Sequence, residues 1–224
     1  MKIRGVIYIV WGAFNEALLK RSQESLKIHH PSLPIEVIRL PDNASLLDKA
    51  NMLDLTPFEE TLFLDADTVV MDNLEFGFKK AARTGLACSI CECPWARRYS
   101  GIKGDVVEYN TGVIFFTRTA KPVFDMWKSS ARVIDSSILF RKGDSLGRMP
   151  VNDQASFSVA IEETGFDLFV LPYNWNFRPK WHKSWYGPIK IWHDYEPVPD
   201  PILQRNNEQS AADAIVDLSV LRDG

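Results

Sequence analysis

Residues 5–10 form an apolar, β-branched run, with Val6, Ile7, Tyr8, Ile9 and Val10 predicting a buried first strand. From 16 to 28 apolar residues recur at helical spacing through Ala17, Leu18 and Leu26, so the chain opens with a strand and a helix. Pro31 and Pro34 punctuate, residues 35–40 predict a second strand, and 45–55 predict a helix broken near Pro57. Thr61, Leu62, Phe63 and Leu64 then run straight into Asp65-Ala66-Asp67, a buried strand ending in two carboxylates. Strands are predicted at 86–93, 113–117 and 166–171. Helices are predicted at 122–134 and at 153–163, the latter entered through Asn152. This alternation predicts an α/β architecture: a parallel sheet with helices on its faces, whose ligands sit beyond the carboxyl ends of the strands. The polar stretch 204–213 reads as a frayed helix or a disordered tail, and no internal repeat interrupts the pattern.

At 224 residues the chain suits one domain with a sizeable core. A net charge of −3, with both signs dispersed, argues against a nucleic-acid footprint or a polybasic membrane anchor. Lys2 and Arg4 ahead of an apolar run mimic a signal peptide. The run is short, however, and Asn15 and Glu16 interrupt it without a small-residue cleavage site. No apolar run approaches the ~18 residues of a membrane span, so no transmembrane segment is expected. Cys88, Cys91 and Cys93 are too few for a structural zinc site and read as parts of a buried strand in a reducing compartment. The expectation is a cytoplasmic protein, with peripheral membrane association left open.

Asp65 and Asp67 lie two apart in an extended segment, so their side chains share a face and can approach one hard cation together. Two aspartates that merely solvate a turn would look the same, but the apolar strand feeding into them favours a site. The run Phe63-Leu64-Asp65-Ala66-Asp67-Thr68-Val69-Val70 resembles the metal-binding DxD signature of GT-A-fold glycosyltransferases, especially the glycogenin-like enzymes of glycosyltransferase family eight. Glu108-Tyr109-Asn110-Thr111-Gly112-Val113 is similar to that family's asparagine-x-glycine strand facing the sugar donor, and Asn152-Asp153-Gln154 to its aspartate-glutamine motif near the transferred sugar. Ile191-Trp192-His193-Asp194 resembles the late strand whose histidine completes the metal site. The chain departs from the pattern after His193, where Asp194-Tyr195-Glu196-Pro197-Val198-Pro199 replaces a glycine and a lysine-proline-tryptophan stretch.

The resemblance, spanning about residues 5–195, implies a GT-A-like fold with a central mixed, mostly parallel sheet flanked by helices. It divides the single domain into a nucleotide-binding half (about 1–105), an acceptor-side half (about 106–200) and a tail (201–224). Asp65, Asp67 and His193 are the implied ligands of Mn2+, with Mg2+ as the substitute. Val10, Trp11, Gly12, Lys49, Asp65, Ala66, Asn110, Thr111 and Gly112 are implied to contact the nucleotide-sugar. The implied reaction is transfer of a sugar from a UDP-sugar or related donor to a hydroxyl acceptor on a glycan, protein or small molecule, with retention of configuration. Asp153 and Gln154 are the candidate catalytic residues, since an aspartate there can orient an acceptor hydroxyl, accept its proton or bind the donor sugar. Each has a structural alternative: a solvated surface lysine for Lys49, a packed imidazole for His193, a strand-end amide for Asn110 and a helix-start carboxylate for Asp153.

Between Tyr173 and Tyr195 aromatic residues (Trp175, Phe177, Trp181, Trp185, Tyr186, Trp192) interleave with Arg178, Lys180, His182, Lys183 and Lys190. This composition suits an acceptor-side loop, a membrane-interface or nucleic-acid patch, or aromatic anchoring to the core. Two other functions fit the sequence. In a haloacid-dehalogenase-type phosphatase Asp65 would be the nucleophile, Asp67 the general acid and base, and Asp144 a later metal ligand. In a non-catalytic nucleotide-sugar binding protein the metal site would serve recognition alone.

Overall fold

The computed structural model describes residues 2–91 and 101–209, and the stretches 92–100 and 210–224, with Cys93 and the end of the polar tail, lie outside them. In chain order the strands of the central sheet are β1 (Lys2–Val10), β2 (Ile35–Arg39), β3 (Phe58–Leu64), β5 (Leu86–Ile90), β6 (Tyr109–Thr117) and β9 (Phe169–Leu171). They lie in the order β2-β1-β3-β6-β5-β9. Two two-stranded antiparallel pairs stand apart, β4 (Thr68–Val70) with β10 (Ile191–His193) and the hairpin β7 (Ile138–Lys142) with β8 (Ser145–Met149). The helices are α1 (Glu16–His29), α2 (Met52–Leu55), α3 (Glu75–Thr84), α4 (Lys121–Ser130), α5 (Asp153–Thr164) and α6 (Asp200–Gln209).

The continuous apolar strands have the composition of a sheet covered on both faces, and alternate residues do enter two separate cores. Ile7, Ile9, Phe63, Ile114 and Phe116 pack with Phe124, Trp127 and Phe157 from α4 and α5. Val6, Tyr8, Val10, Leu62, Leu64 and Phe115 pack with Leu19 and Leu26 of α1 and Phe78 of α3.

The sheet is mixed and mostly parallel, as the resemblance implies, and the all-parallel sheet expected from the alternation is corrected at one strand. β6 pairs antiparallel with both β3 and β5, while β1 pairs parallel with β2 and β3 and β5 pairs parallel with β9. This reversal matters for function. With Leu64 opposite Val113, the first residues of β6, Asn110 to Gly112, fall beside the carboxyl end of β3, where Asp65 begins. The Asp65 amide closes the junction by donating to the Gly112 carbonyl at 2.8 Å.

The helix expected at 45–55 is instead a 3-10 segment, Leu46–Asn51, followed by the single turn of α2. Ser45 and Asp48 form a reciprocal cap at its start, with the Asp48 carboxylate accepting from the Ser45 amide at 2.8 Å, and this tight winding points Lys49 inward. α6 runs to Gln209, so residues 204–209 of the polar stretch are helix, and 210–213 lie outside the described residues.

Candidate functional site

The Asp65-Ala66-Asp67 turn is fixed from beneath by a buried hydroxyl chain. Thr68 Oγ1 donates its one proton to the Asp65 carbonyl at 2.8 Å. Ser22 must therefore donate to Thr68 (2.9 Å), and Tyr8 to Ser22 (3.0 Å). Ser25, one turn further along α1, accepts from the Val70 amide at 2.9 Å. α1 thus holds β4, which leaves the carboxylate turn, through two hydroxyls, at Thr68 and at Val70.

β4 leaves this turn and pairs antiparallel with β10, setting His193 opposite Thr68, and the Asp194 amide donates to the Asp67 carbonyl at 3.1 Å. The result is a cluster in which one ligand atom each from Asp65, Asp67 and His193 lies within 4.8 Å of the others. His193 Nε2 stands 3.3 Å from Asp67 Oδ1 and 3.9 Å from Asp65 Oδ2.

A relay of amides fixes which nitrogen faces the carboxylates. The Gly112 amide, a donor that cannot be reversed, bonds Asn110 Oδ1 at 2.9 Å, and the Asn176 side-chain amide donates to the same oxygen at 2.7 Å. Asn176 Oδ1 is thereby left facing His193 Nδ1 at 2.7 Å, so Nδ1 carries the proton and the Nε2 lone pair points at the two carboxylates. Three acceptors converge there, a set of hard oxygen and imidazole donors that fits a divalent ion such as manganese or magnesium. Gly112 is required for this approach, because a Cβ on it would overlap the His193 ring and meet Asp65 Oδ2 at 2.8 Å.

Lys49 lies behind the cluster. It is 2 % exposed, with its ammonium 3.0 Å from Asp65 and 3.1 Å from Asp153. The surface-lysine alternative is therefore ruled out, and in this structure Lys49 holds two carboxylates. Burial alone would lower its pKa, but Asp153 and Asp65 raise it further and the ammonium is retained. Burial and the charges of Asp67 and Asp153 push Asp65 above the ordinary carboxylate range despite Lys49. Burial acts in the same direction on Asp67; a protonated His193, bonding it through Nε2, together with Lys49 outweighs burial and holds Asp67 low, whereas the neutral His193 tautomer described above withdraws that support.

Asp153 and Gln154 open α5, where Asn152 caps the helix by accepting from the Gln154 amide at 2.8 Å. The Asp153 carboxylate also accepts from Thr111 Oγ1 at 2.7 Å, and Gln154 accepts from Asn110 at 2.9 Å. Both residues are buried, and the first residues of β6 connect them to the cluster.

Beside the carboxylates opens a cleft of about 300 Å³ lined by Val10, Trp11, Phe14, Asn15, Leu18, Leu46, Asp65, Ala66, Asp67 and Tyr195, among others. Gly12 is not in the lining; its φ of +55° turns the chain after Trp11. Asn15, read as an interruption, is the α1 cap, accepting from the Ala17 amide at 3.0 Å. A smaller cleft of about 90 Å³ shares Asp67 and Tyr195 with the first and adds Arg178, Lys180, Trp181, His193 and Asp194.

Sequence reasoning missed Asn176, Phe14 and Leu46. The signal for Asn176 was an amide between Trp175 and Phe177 in an apolar stretch; it is 2 % exposed. Most of the aromatic segment anchors the core: Phe177, Trp185 and Trp192 form one buried cluster with Ile189, and Trp175 joins another. Asp144 sits exposed in the β7–β8 turn and belongs to no cluster of metal-ligating side chains among the described residues, so the phosphatase reading gains no support. Cys88 and Cys91 are buried, form no disulfide among the described residues and lie outside any such cluster. Among the described residues no helix is long and apolar enough to cross a membrane.

Neither a family model nor a curated protein sequence matches the chain. Solved structures do. Mouse xyloside xylosyltransferase 1 superposes over 88 % of this chain and all of its own (100 %), with a TM-score of 0.58 at 14 % identity. The galactosyltransferase LgtC, crystallised with donor and acceptor sugar analogs, matches over 96 % of this chain and 98 % of its own, with a TM-score of 0.51 at 13 % identity. GlyE, a glycosyltransferase of Streptococcus pneumoniae TIGR4, matches over 98 % of this chain and 62 % of its own, with a TM-score of 0.56 at 12 % identity. The fold is GT-A-like. At these identities the likeness carries the GT-A-like architecture, and function has to be argued from the site.

Proposed function

We propose that this chain is a metal-dependent glycosyltransferase that takes a sugar from a nucleoside-diphosphate donor, a UDP-sugar by preference, and delivers it to a hydroxyl acceptor. The observation that carries the reading is the Asp65–Asp67–His193 cluster at the carboxyl end of β3, opening onto a nucleoside-sized cleft. The enzymatic neighbours in the GT-A-like fold support it.

In this reading Asp65, Asp67 and His193 hold Mn2+ or Mg2+, which would neutralise charge on a departing diphosphate. Val10, Trp11, Phe14 and Leu18 wall the base and ribose, and residues 1–105 supply most of that half. Asn110 and Gln154, already paired through their amides, present hydrogen-bonding groups toward the sugar side, and Thr111 positions Asp153. The Asp153 carboxylate is engaged by Lys49 and Thr111 and 5 % exposed, so it does not stand as a free base for the acceptor. That supports a retaining transfer, in which no enzyme base opposite the leaving group is needed.

The test is a transfer and donor-hydrolysis assay over a panel of nucleotide-sugars with Mn2+, run beside Asp67→Asn. This substitution keeps size and removes one ligand charge. We expect metal-dependent turnover in the wild type and at least a hundredfold loss in the folded variant. Undiminished turnover in Asp67→Asn would remove the metal assignment. Binding of the donor without turnover on any acceptor would favour the recognition protein instead.

A further inference from the structure

The carboxylate cluster leaves a charge unaccounted for, if the site takes a diphosphate as proposed above. One divalent ion held by two aspartates is already largely neutralised by its own ligands, so an anionic donor needs a cation from the protein as well. From Asp194 to Gln204 the sequence after β10 contains no lysine or arginine. Lys49 is committed to Asp65 and Asp153 from behind.

The segment before β10 supplies one. Phe177 forms a parallel bridge with Trp192, its amide donating to the Ile191 carbonyl at 2.8 Å and its carbonyl accepting from the His193 amide at 2.8 Å. The next residue, Arg178, therefore lies beside His193 by register. A tight turn fixes it there: the amides of Trp181 and His182 both donate to the Arg178 carbonyl at 2.9 Å, and the Arg178 amide donates to His182 Nδ1 at 3.0 Å.

Among the half-buried arginines, three are held by carboxylates or carbonyls, and Arg205 lies over the Trp185 ring at 4.4 Å, in neither of the clefts beside the carboxylates. Arg4 bonds Glu60 and Glu75, Arg21 bonds the carbonyls of Asp194 and Tyr195, and Arg118 bonds those of Leu53 and Thr56. Arg178 meets neither carboxylate nor carbonyl among the described residues. Its side chain touches the Cys91 sulfur at 3.7 Å and lies 5.9 Å from the centre of the Trp181 ring. Arg178 lines the small cleft together with Asp67 and His193. Lys180, the other cation there, is 68 % exposed and 3.7 Å from Asp194, which offsets part of its charge.

We propose that Arg178 is the anion-binding residue of this site, its guanidinium taking the terminal phosphate of the donor's diphosphate beside the metal cluster. A planar fork with free donors suits two phosphate oxygens at once, which an ammonium cannot match.

The experiment compares UDP and UMP binding by titration calorimetry with Mn2+ present, using wild type, Arg178→Ala and Arg178→Lys, with GDP and GMP as a second pair. We expect wild type to favour the diphosphate. Arg178→Ala should lose about tenfold or more in diphosphate affinity while monophosphate and Mn2+ affinities change less than threefold. Arg178→Lys should recover part of the loss. Equal losses for di- and monophosphate, or no loss in Arg178→Ala while wild type binds diphosphate, overturn the assignment of Arg178 alone. Wild type that binds no nucleoside diphosphate with Mn2+ overturns the donor reading, and this assignment with it.

Discussion

Lys49 shows how much of the site is decided by single buried charges. Its ammonium separates Asp65 from Asp153, both within 3.1 Å of it, and rests over the Phe63 ring at 4.8 Å. Lys49→Met would leave two carboxylates facing one another with no cation, the situation in which removing one member of a buried ion pair costs about 3–5 kcal/mol. Urea unfolding should show a loss of that size, and a loss below about 1 kcal/mol would mean that solvent reaches the pair. At this scale the sequence was legible where chemistry concentrates charge: Asp65, Asp67 and His193 come together from distant positions as the resemblance implied. Lys49 was legible as a residue to watch, but not as a buried ion-pair partner, because a lysine in a helix-like stretch carries no mark of its burial. Asn176 offered only an amide between two aromatics, and its role exists only once β6 and β10 bring Asn110 and His193 to its two ends.

At the scale of elements, periodicity located β1, α1, β2, β3 and α5 within a few residues, because each is apolar at the spacing its burial requires. α3 escaped notice because Gly77 interrupts it, and that glycine is there because a Cβ would overlap the Phe115 ring. The direction of β6 was not readable from its composition: a doubly buried strand looks alike either way round. α3 also carries a pH-sensitive junction, where buried His30 accepts from the Leu74 amide through Nε2 at 2.9 Å. Burial, assisted by His29 and Arg4, lowers the His30 pKa below its ordinary value despite Glu75. A group that is harder to protonate in the folded state stabilises the fold fully above its unfolded pKa of about 6.5, and that contribution is lost as pH falls through the lowered value. The melting temperature should therefore fall as pH drops from about 7 to 5, and His30→Gln should flatten the curve in that window. An identical slope in the variant would place the acid sensitivity elsewhere.

For the molecule as a whole, the GT-A-like fold gathers three separate stretches of chain at one sheet end: the turn after β3, the start of β6, and β10 with the segment that precedes it. The larger and the smaller cleft share Asp67 and Tyr195, so a ligand that spans them must pass the proposed metal position. The claim that most depends on this arrangement is that nucleotide and metal bind as a unit. It is tested most directly by thermal unfolding with Mn2+ alone, UDP alone, both together, and both with chelator. A ligand at 100 times its dissociation constant adds about 2.7 kcal/mol. In a domain of this size that is an upward shift of roughly 5–10 °C. The account predicts that shift only when Mn2+ and UDP, or another nucleoside diphosphate, are present together, with reversal by chelator. No shift with any nucleoside diphosphate, or the same shift with chelator present, would contradict it.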